Sequence, residues 1–234
     1  MNTANKAIIL SAGVGERLTP TTNLKNKSLI EINGRIIIET IIESLIRNGI
    51  EDIYIVVGYL KESFNYLQQK YNGITLIENP HYKTCNNISS LYIAREHLGN
   101  CIIMDGDQLI FNDKILNPQF DVSGYCSSWA EETNEWLQTT DENDIVLSCN
   151  RKGGKNGWQL YSISFWSKQD GERLKKHLED AYESRKLTDI YWDDIPMFLY
   201  NKEYRLKIRR INRHDVFEVD TLKDLENALK GEWK

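Results

Sequence analysis

Over its first half the chain alternates short unbroken apolar runs with stretches of helical period. Residues 7–10 (AIIL), 52–57 (DIYIVV), 74–77 (ITLI) and 101–107 (CIIMDGD) are the runs. They are short and rich in β-branched residues, which predicts strands buried on both faces. Between them, Ile38, Ile41, Ile42, Leu45 and Ile46 recur at helical spacing within residues 35–48, and Gly49 follows as a C′ glycine. A short β segment is expected at 28–32, ended by the turn pair Asn33-Gly34. Further helices are expected at 61–71 and 85–97, the second opened by two asparagines and two serines. This alternation predicts an α/β fold with a doubly wound, mostly parallel sheet, whose ligands sit beyond the carboxyl ends of the strands.

The second half changes character. Residues 125–129, 144–148 and 158–166 predict strands joined by turns, so an antiparallel extension of the sheet is expected. Residues 153–157 (GGKNG) predict a mobile turn, 170–186 an amphipathic helix and 204–211 a late strand. Residues 187–198 are aromatic and acidic, and a final helix over 222–230 is capped by Asp220 or Thr221. No repeat, linker or low-complexity segment interrupts the 234 residues, so a single domain over 1–234 is expected.

Composition narrows the class. Hydrophobic residues at 41% and charged residues at 27% describe an ordinary globular chain. A net charge of -5 without a dense basic run excludes nucleic acid as the expected partner. Cys85, Cys101, Cys126 and Cys149 form no CxxC and predict reduced thiols. No charged-then-apolar leader is present, and no apolar run nears the ~18 residues of a membrane span. The expected location is cytoplasmic, with no membrane insertion.

Candidate chemistry concentrates in residues 6–29, KAIILSAGVGERLTPTTNLKNKSL. An apolar strand runs into Gly13 and Gly15, which permit positive φ and turn backbone amides toward oxyanions. Arg17 and Lys27 add fixed positive charge. Strand, glycine turn and two cations suit a triphosphate, although neither GxGxxG nor the Walker A pattern is present. Tyr59 and Asp107 fall at the ends of two further predicted strands, so three separate positions gather where a doubly wound sheet binds its ligand.

Taken together, residues 6–20 (KAIILSAGVGERLTP), Val57-Gly-Tyr-Leu-Lys-Glu, Asn86-Asn87 with Ser90-Leu-Tyr92, Asp105-Gly-Asp107, Thr133-Asn-Glu-Trp136, Ser164-Phe-Trp166, Tyr191-Trp-Asp193 and Phe217-Glu-Val-Asp220-Thr resemble the bacterial CTP:phosphocholine cytidylyltransferases. These belong to the sugar-phosphate nucleotidyltransferase superfamily. The resemblance covers nearly the whole chain. One departure stands out: Asn26 precedes Lys27 where the family pattern usually has proline.

The resemblance implies a Rossmann-like nucleotidyltransferase sheet with an antiparallel acceptor-binding extension. Residues 1–112 would form the nucleotide-binding half and 113–234 the acceptor-binding half. It implies transfer of CMP from CTP to phosphocholine, with Mg²⁺ held by Asp107 and Asp220 and Asp105 in support. Lys27 would neutralise the α-phosphate and the acceptor phosphate, and Arg17 would hold the outer phosphates with its planar donor fork. Leu10, Ala12, Gly13, Gly15, Tyr59, Asn86, Ser90 and Asp105 would line the nucleotide. Lys25 reads as surface charge.

At the acceptor end, Trp136, Tyr191 and Trp192 could wall a box for a quaternary ammonium, since ring faces attract cations within ~6 Å. Glu218, Asp193 or Asp194 would add negative charge. Trp129, Trp158, Trp166 and Trp233 read as packing or surface. Plainer alternatives stand beside each assignment: a strand-end carboxylate for Asp107, a helix cap for Asp220 or Asn86, solvated charge for Lys27, and core packing for the aromatics. The acceptor alternatives are 2-aminoethylphosphonate or phosphoethanolamine, then a sugar-1-phosphate. A catalytically silent nucleotide-binding module is the reading from another class. The oligomeric state is not legible.

Overall fold

The computed structural model describes residues 1–232, so Trp233 lies outside the described residues. The four apolar runs form the centre of one sheet. Strand β1 (Lys6–Ser11) lies between β2 (Asp52–Val57) and β4 (Cys101–Asp105), and β3 (Ile74–Glu78) flanks β2, all parallel. After a turn at Gly106 comes β5 (Gln108–Ile110). The second half supplies β6 (Gly124–Thr133), β7 (Leu137–Thr140), β8 (Val146–Asn150) and β9 (Gly154–Trp166). Ile163 of β9 pairs with Met104 of β4 in antiparallel sense, so the extension continues the same sheet. The order is β8-β7-β9-β4-β1-β2-β3, with β6 on the far flank of β9.

Helices cover both faces, which is why β1 reads as uninterrupted apolar sequence. On one face Ile38, Ile41, Ile42 and Leu45 of α1 (Ile37–Arg47) pack on Ile9, Ile53 and Ile55. On the other, Ile88 and Leu91 of α3 (Ile88–Ile93) and Leu174 and Leu178 of α4 (Lys168–Glu179) meet Ile8, Val56 and Ile103. Helix α1 stops at Asn48, and Gly49 takes φ +77° beyond it. The helix expected at 61–71 is a 3₁₀ turn (Lys61–Phe64) followed by the short α2 (Tyr66–Lys70). No helix among the described residues is long and apolar enough to cross a membrane.

Two elements place the site. Strand β10 (Val216–Glu218) pairs antiparallel with β5, setting Glu218 opposite Gln108, and the Val219 N–H donates to the Asp107 carbonyl at 3.0 Å. This short ladder joins positions more than a hundred residues apart. Helix α5 (Leu222–Lys230) then starts from a capping box between Thr221 and Asp224. Thr221 is thus the cap, and the Asp220 side chain is free for another use.

Three expectations are corrected. The strand expected over 204–211 contracts to Arg209–Arg210, which meets β6 at two rungs. There the Arg209 guanidinium is held by the carbonyls of Ile115, Asn117 and Gln119. The expected mobile turn at 153–157 is mostly the start of β9. A Cβ on Gly157 would lie 2.8 Å from Leu137 Cγ, so that glycine serves close strand packing rather than mobility. The helix expected over 170–186 begins earlier, capped by the Ser167 hydroxyl, and widens into a π-turn at Asp180–Ser184.

Candidate active site

Beyond the carboxyl ends of β1 and β4 lies a cavity of about 300 Å³ that runs from the glycine loop to the aromatic segment. Lys27 stands in it on a 3₁₀ turn (Lys27–Leu29). Its Nζ is ion-paired with Asp107 and lies 3.4 Å from Asp220 Oδ1. Burial opposes the charge on Lys27, but Asp107 and Asp220 outweigh it and raise its pKa. Arg17, on the exposed rim, reaches Asp220 Oδ1 with Nη2 at 2.9 Å. The result is an alternating chain of charges, Arg17–Asp220–Lys27–Asp107.

Carboxylate oxygens of Asp105, Asp107 and Glu218 lie within 4.8 Å of one another beside this chain. Burial first, and then the proximity of Asp107, pushes the pKa of both Asp105 and Glu218 well above the usual carboxylate range. Asp107 Oδ1 is buried without a hydrogen-bond partner. An all-oxygen set with one such atom fits a hard divalent cation. Glu218, expected at the acceptor, instead joins the other acids through the β5–β10 register.

A second cavity of about 520 Å³ adjoins the first and shares Ala12, Gly13, Asn86 and Ser90 with it. Gly15, at φ +71°, lines this second space, and Leu10 lines the first. Two residues here escaped sequence reading. Asn79, at the end of β3, donates to the Ser89 and Ser90 hydroxyls at 3.0 Å each, and its Oδ1 accepts the His81 N–H. Tyr82 packs over Gly58, where a Cβ would lie 2.8 Å from its ring. The signal for Asn79 was its strand-end position, shared with the glycine loop and Asp107. Tyr59 is a correction: it lines neither cavity. Its N–H goes to the Ala12 carbonyl at 3.0 Å and its hydroxyl to the Asn23 carbonyl at 3.2 Å, so it braces the loop.

At the other end, Trp136 and Tyr191 line the first cavity with ring centroids 6.0 Å apart and planes at 88°. Glu135, which the sequence reading did not single out, lines it beside them. Asp193 also lines it and is 5% exposed. Burial pushes Asp193 up to about 7, with Asp194 adding to the rise and the Tyr125 hydroxyl working against it. Asp194 faces away and is held by Arg151 and by the Tyr191 N–H at 3.0 Å.

Trp192 is a second correction. It is 1% exposed, stacked on Tyr125 at 6.0 Å and edge-on to Trp166 at 5.9 Å, in the core below the cavity. Asn87 Oδ1 accepts the backbone N–H of Trp192 at 2.9 Å and ties this segment to α3. Trp192→Ala is therefore expected to cost about 3–5 kcal/mol of stability, measured by denaturant unfolding, rather than to act on the acceptor alone. Trp166 is core as well, while Trp129 and Trp158 form a cross-strand pair with ring centroids 5.5 Å apart.

The pattern of the MobA-like NTP transferase domain matches residues 7–188. A choline-phosphate cytidylyltransferase of Streptococcus pneumoniae is 37% identical over 97% of this chain and 99% of its own length. A 2-aminoethylphosphonate cytidylyltransferase of Lancefieldella rimae is 34% identical over 94% of this chain and 89% of its own. The solved structure of the CTP:phosphocholine cytidylyltransferase from Streptococcus pneumoniae superposes with a TM-score of 0.90 at 35% identity, covering 96% of this chain and 97% of that one.

Proposed function

Because this chain belongs to the MobA-like NTP transferase domain family, we propose that it is a cytidylyltransferase moving CMP from CTP to phosphocholine. A phosphate oxygen of the acceptor attacks the α-phosphorus, the bond to the bridging oxygen breaks, and pyrophosphate leaves. The observation that carries this reading is Lys27, ion-paired to Asp107 and near Asp220 between the glycine loop and the Trp136–Tyr191 corner. Placed there, its ammonium neutralises charge on both the nucleotide and the attacking phosphate, and positioning and charge do most of the work. Arg17 holds the outer phosphates, and the Gly13–Gly15 amides face them. Asp107, with Asp220, Asp105 and Glu218 beside it, would hold the divalent cation, taken to be Mg²⁺. Such an ion supplies charge neutralisation and a template for phosphate oxygens when bound. Residues 1–112 serve the nucleotide and 113–234 the acceptor, except that Glu218 and Asp220 return to the phosphates. Four free cysteines fit a reducing, cytoplasmic setting.

One observation favours a second acceptor. Asp193 brings a buried carboxyl to the lining of the cavity, with an oxygen that can accept a hydrogen bond. A primary ammonium donates N–H bonds to such an oxygen, whereas a trimethylammonium has none to give. This supports 2-aminoethylphosphonate or phosphoethanolamine as the runner-up. Pyrophosphate release from CTP and Mg²⁺ with a panel of acceptors decides: phosphocholine is expected to give the highest kcat/KM. Preference for an aminated phosphonate would move the assignment to the runner-up. No turnover with any acceptor would leave only a nucleotide-binding module.

Trp136→Ala is expected to raise acceptor KM by roughly 10–30-fold with CTP KM unchanged, from the ~2 kcal/mol of a desolvated cation–π contact. Equal loss on both substrates would remove the aromatic corner from acceptor binding. Asp193 gives a pH signature. Its carboxyl is charged only above about 7, so the KM for a cationic acceptor should fall as pH rises from about 6 to about 8. Stability runs the opposite way. A carboxyl raised from 3.8 to about 7 contributes stability present below the unfolded value and lost as pH climbs through the folded one. The Asp193→Asn variant should flatten both curves, read from kinetics and from melts across that range.

A further inference from the structure

Asn26 is fully buried yet lines neither cavity. Its carboxamide is engaged entirely with backbone. Nδ2 donates to the carbonyls of Ser11 at 3.2 Å, Gly13 at 3.3 Å and Tyr59 at 3.1 Å, while Oδ1 accepts the Ser28 N–H at 3.0 Å. An amide nitrogen carries two protons, so three carbonyls share them. The bonds join three segments: the glycine loop after β1, the loop after β2, and the turn that carries Lys27. Peptide planarity gives this clamp a consequence, since a carbonyl drawn toward Asn26 turns the next N–H the opposite way. For Ser11 and Gly13 those N–H groups belong to Ala12 and Val14, both of which line the second cavity. The Asn26 backbone, at φ -61° and ψ 143°, has dihedrals that a proline tolerates without strain. Rigidity at this position comes from four hydrogen bonds in place of a ring.

We propose that Asn26 is a positioning residue for nucleotidyl transfer. It presets the Ala12 and Val14 amides and the Lys27 ammonium for a nucleotide's phosphates. Its role rests on the reading of these cavities as a CTP site and is independent of which acceptor is used.

Asn26→Ala and Asn26→Pro are compared with the wild type by amide hydrogen exchange of the nucleotide-free protein, equilibrium binding of Mg²⁺–CTP without acceptor, and steady-state kinetics. In Asn26→Ala, residues 11–15 and 58–62 are expected to exchange at least about fivefold faster, with α4 unchanged. CTP KM is expected to rise about tenfold and acceptor KM to stay within about twofold. Asn26→Pro restores the dihedral but not the carboxamide, so intermediate values are expected. Unchanged exchange with native CTP affinity overturns the role, as does a loss shared equally between CTP and acceptor. If Asn26→Ala does not fold, the proline variant decides: identity with wild type overturns the clamp, and a CTP-selective loss supports it. A wild type that binds no CTP counts against the CTP reading instead, and the exchange comparison still tests Asn26.

Discussion

Lys27→Met is expected to lower kcat about 10²–10³-fold, the range found when one preorganised electrostatic group is removed from a reacting centre. Methionine keeps the stem that lies against Gly15 and removes only the ammonium. The charge serves two acids at once, Asp107 and Asp220, and no neutral side chain repeats that. Arginine is no substitute, because a planar guanidinium cannot occupy the place of a compact ammonium. Asp107 is 3% exposed and loses its counter-charge, so a stability loss accompanies the lost turnover. Steady-state pyrophosphate release beside a thermal melt separates the two effects. A folded Lys27→Met enzyme with turnover within about threefold of wild type would remove Lys27 from the chemistry.

Asp107→Asn should cost a comparable 10²–10³-fold in turnover, about the same as losing the lysine, while relief among the acids offsets part of the stability lost with the Lys27 ion pair. The reasons are separate. Asp107 contributes to the raised pKa of both Asp105 and Glu218, so removing its charge relaxes a crowded acidic cluster. Its loss also takes an unpartnered oxygen from the set that would hold the cation, so the divalent-ion concentration for half-maximal rate should increase. Asp220→Asn should be milder, since Asp220 sits nearer the rim with Arg17. Titrating MgCl₂ against rate for the three proteins checks the order. Unaltered metal dependence in Asp107→Asn would place the cation elsewhere.

Much of this architecture is legible in the residues, for physical reasons that differ by element. The parallel strands are covered on both faces, so each is an apolar run that no half-exposed element imitates. Helix α1 carries its period and its terminal glycine openly. Residues 204–211 mislead because arginines and lysines alternate with apolar residues as in a half-buried strand. In the structure Arg209 instead spends its donors on three carbonyls of a neighbouring segment. The site divides the same way. Lys27 is visible as a charge in the segment after the glycine turn and Asp107 as one at a strand end, while Asp220 comes from the resemblance. Glu218 was visible too, but its neighbours depend on the register of β10 against β5, a long-range fact that no local pattern carries. Tyr191 and Asp193 line the cavity while Trp192 between them is buried in the core. Composition marks three aromatic and acidic neighbours alike; only the fold sorts them. Asn26 looked like the loss of a rigid residue, and the structure returns that rigidity through its side chain.

The pairing of β10 with β5 also bears on how the protein is made. Domains gain structure as they leave the ribosome, at about 5–20 residues per second. The nucleotide loop, Lys27 and Asp107 are all synthesised early, but Glu218 and Asp220 arrive more than a hundred residues later. For several seconds the nascent polypeptide therefore carries a lysine and two aspartates with no second wall, and an edge at β5 awaiting its mate. The two walls of the candidate site can therefore meet only after most of the chain has been made.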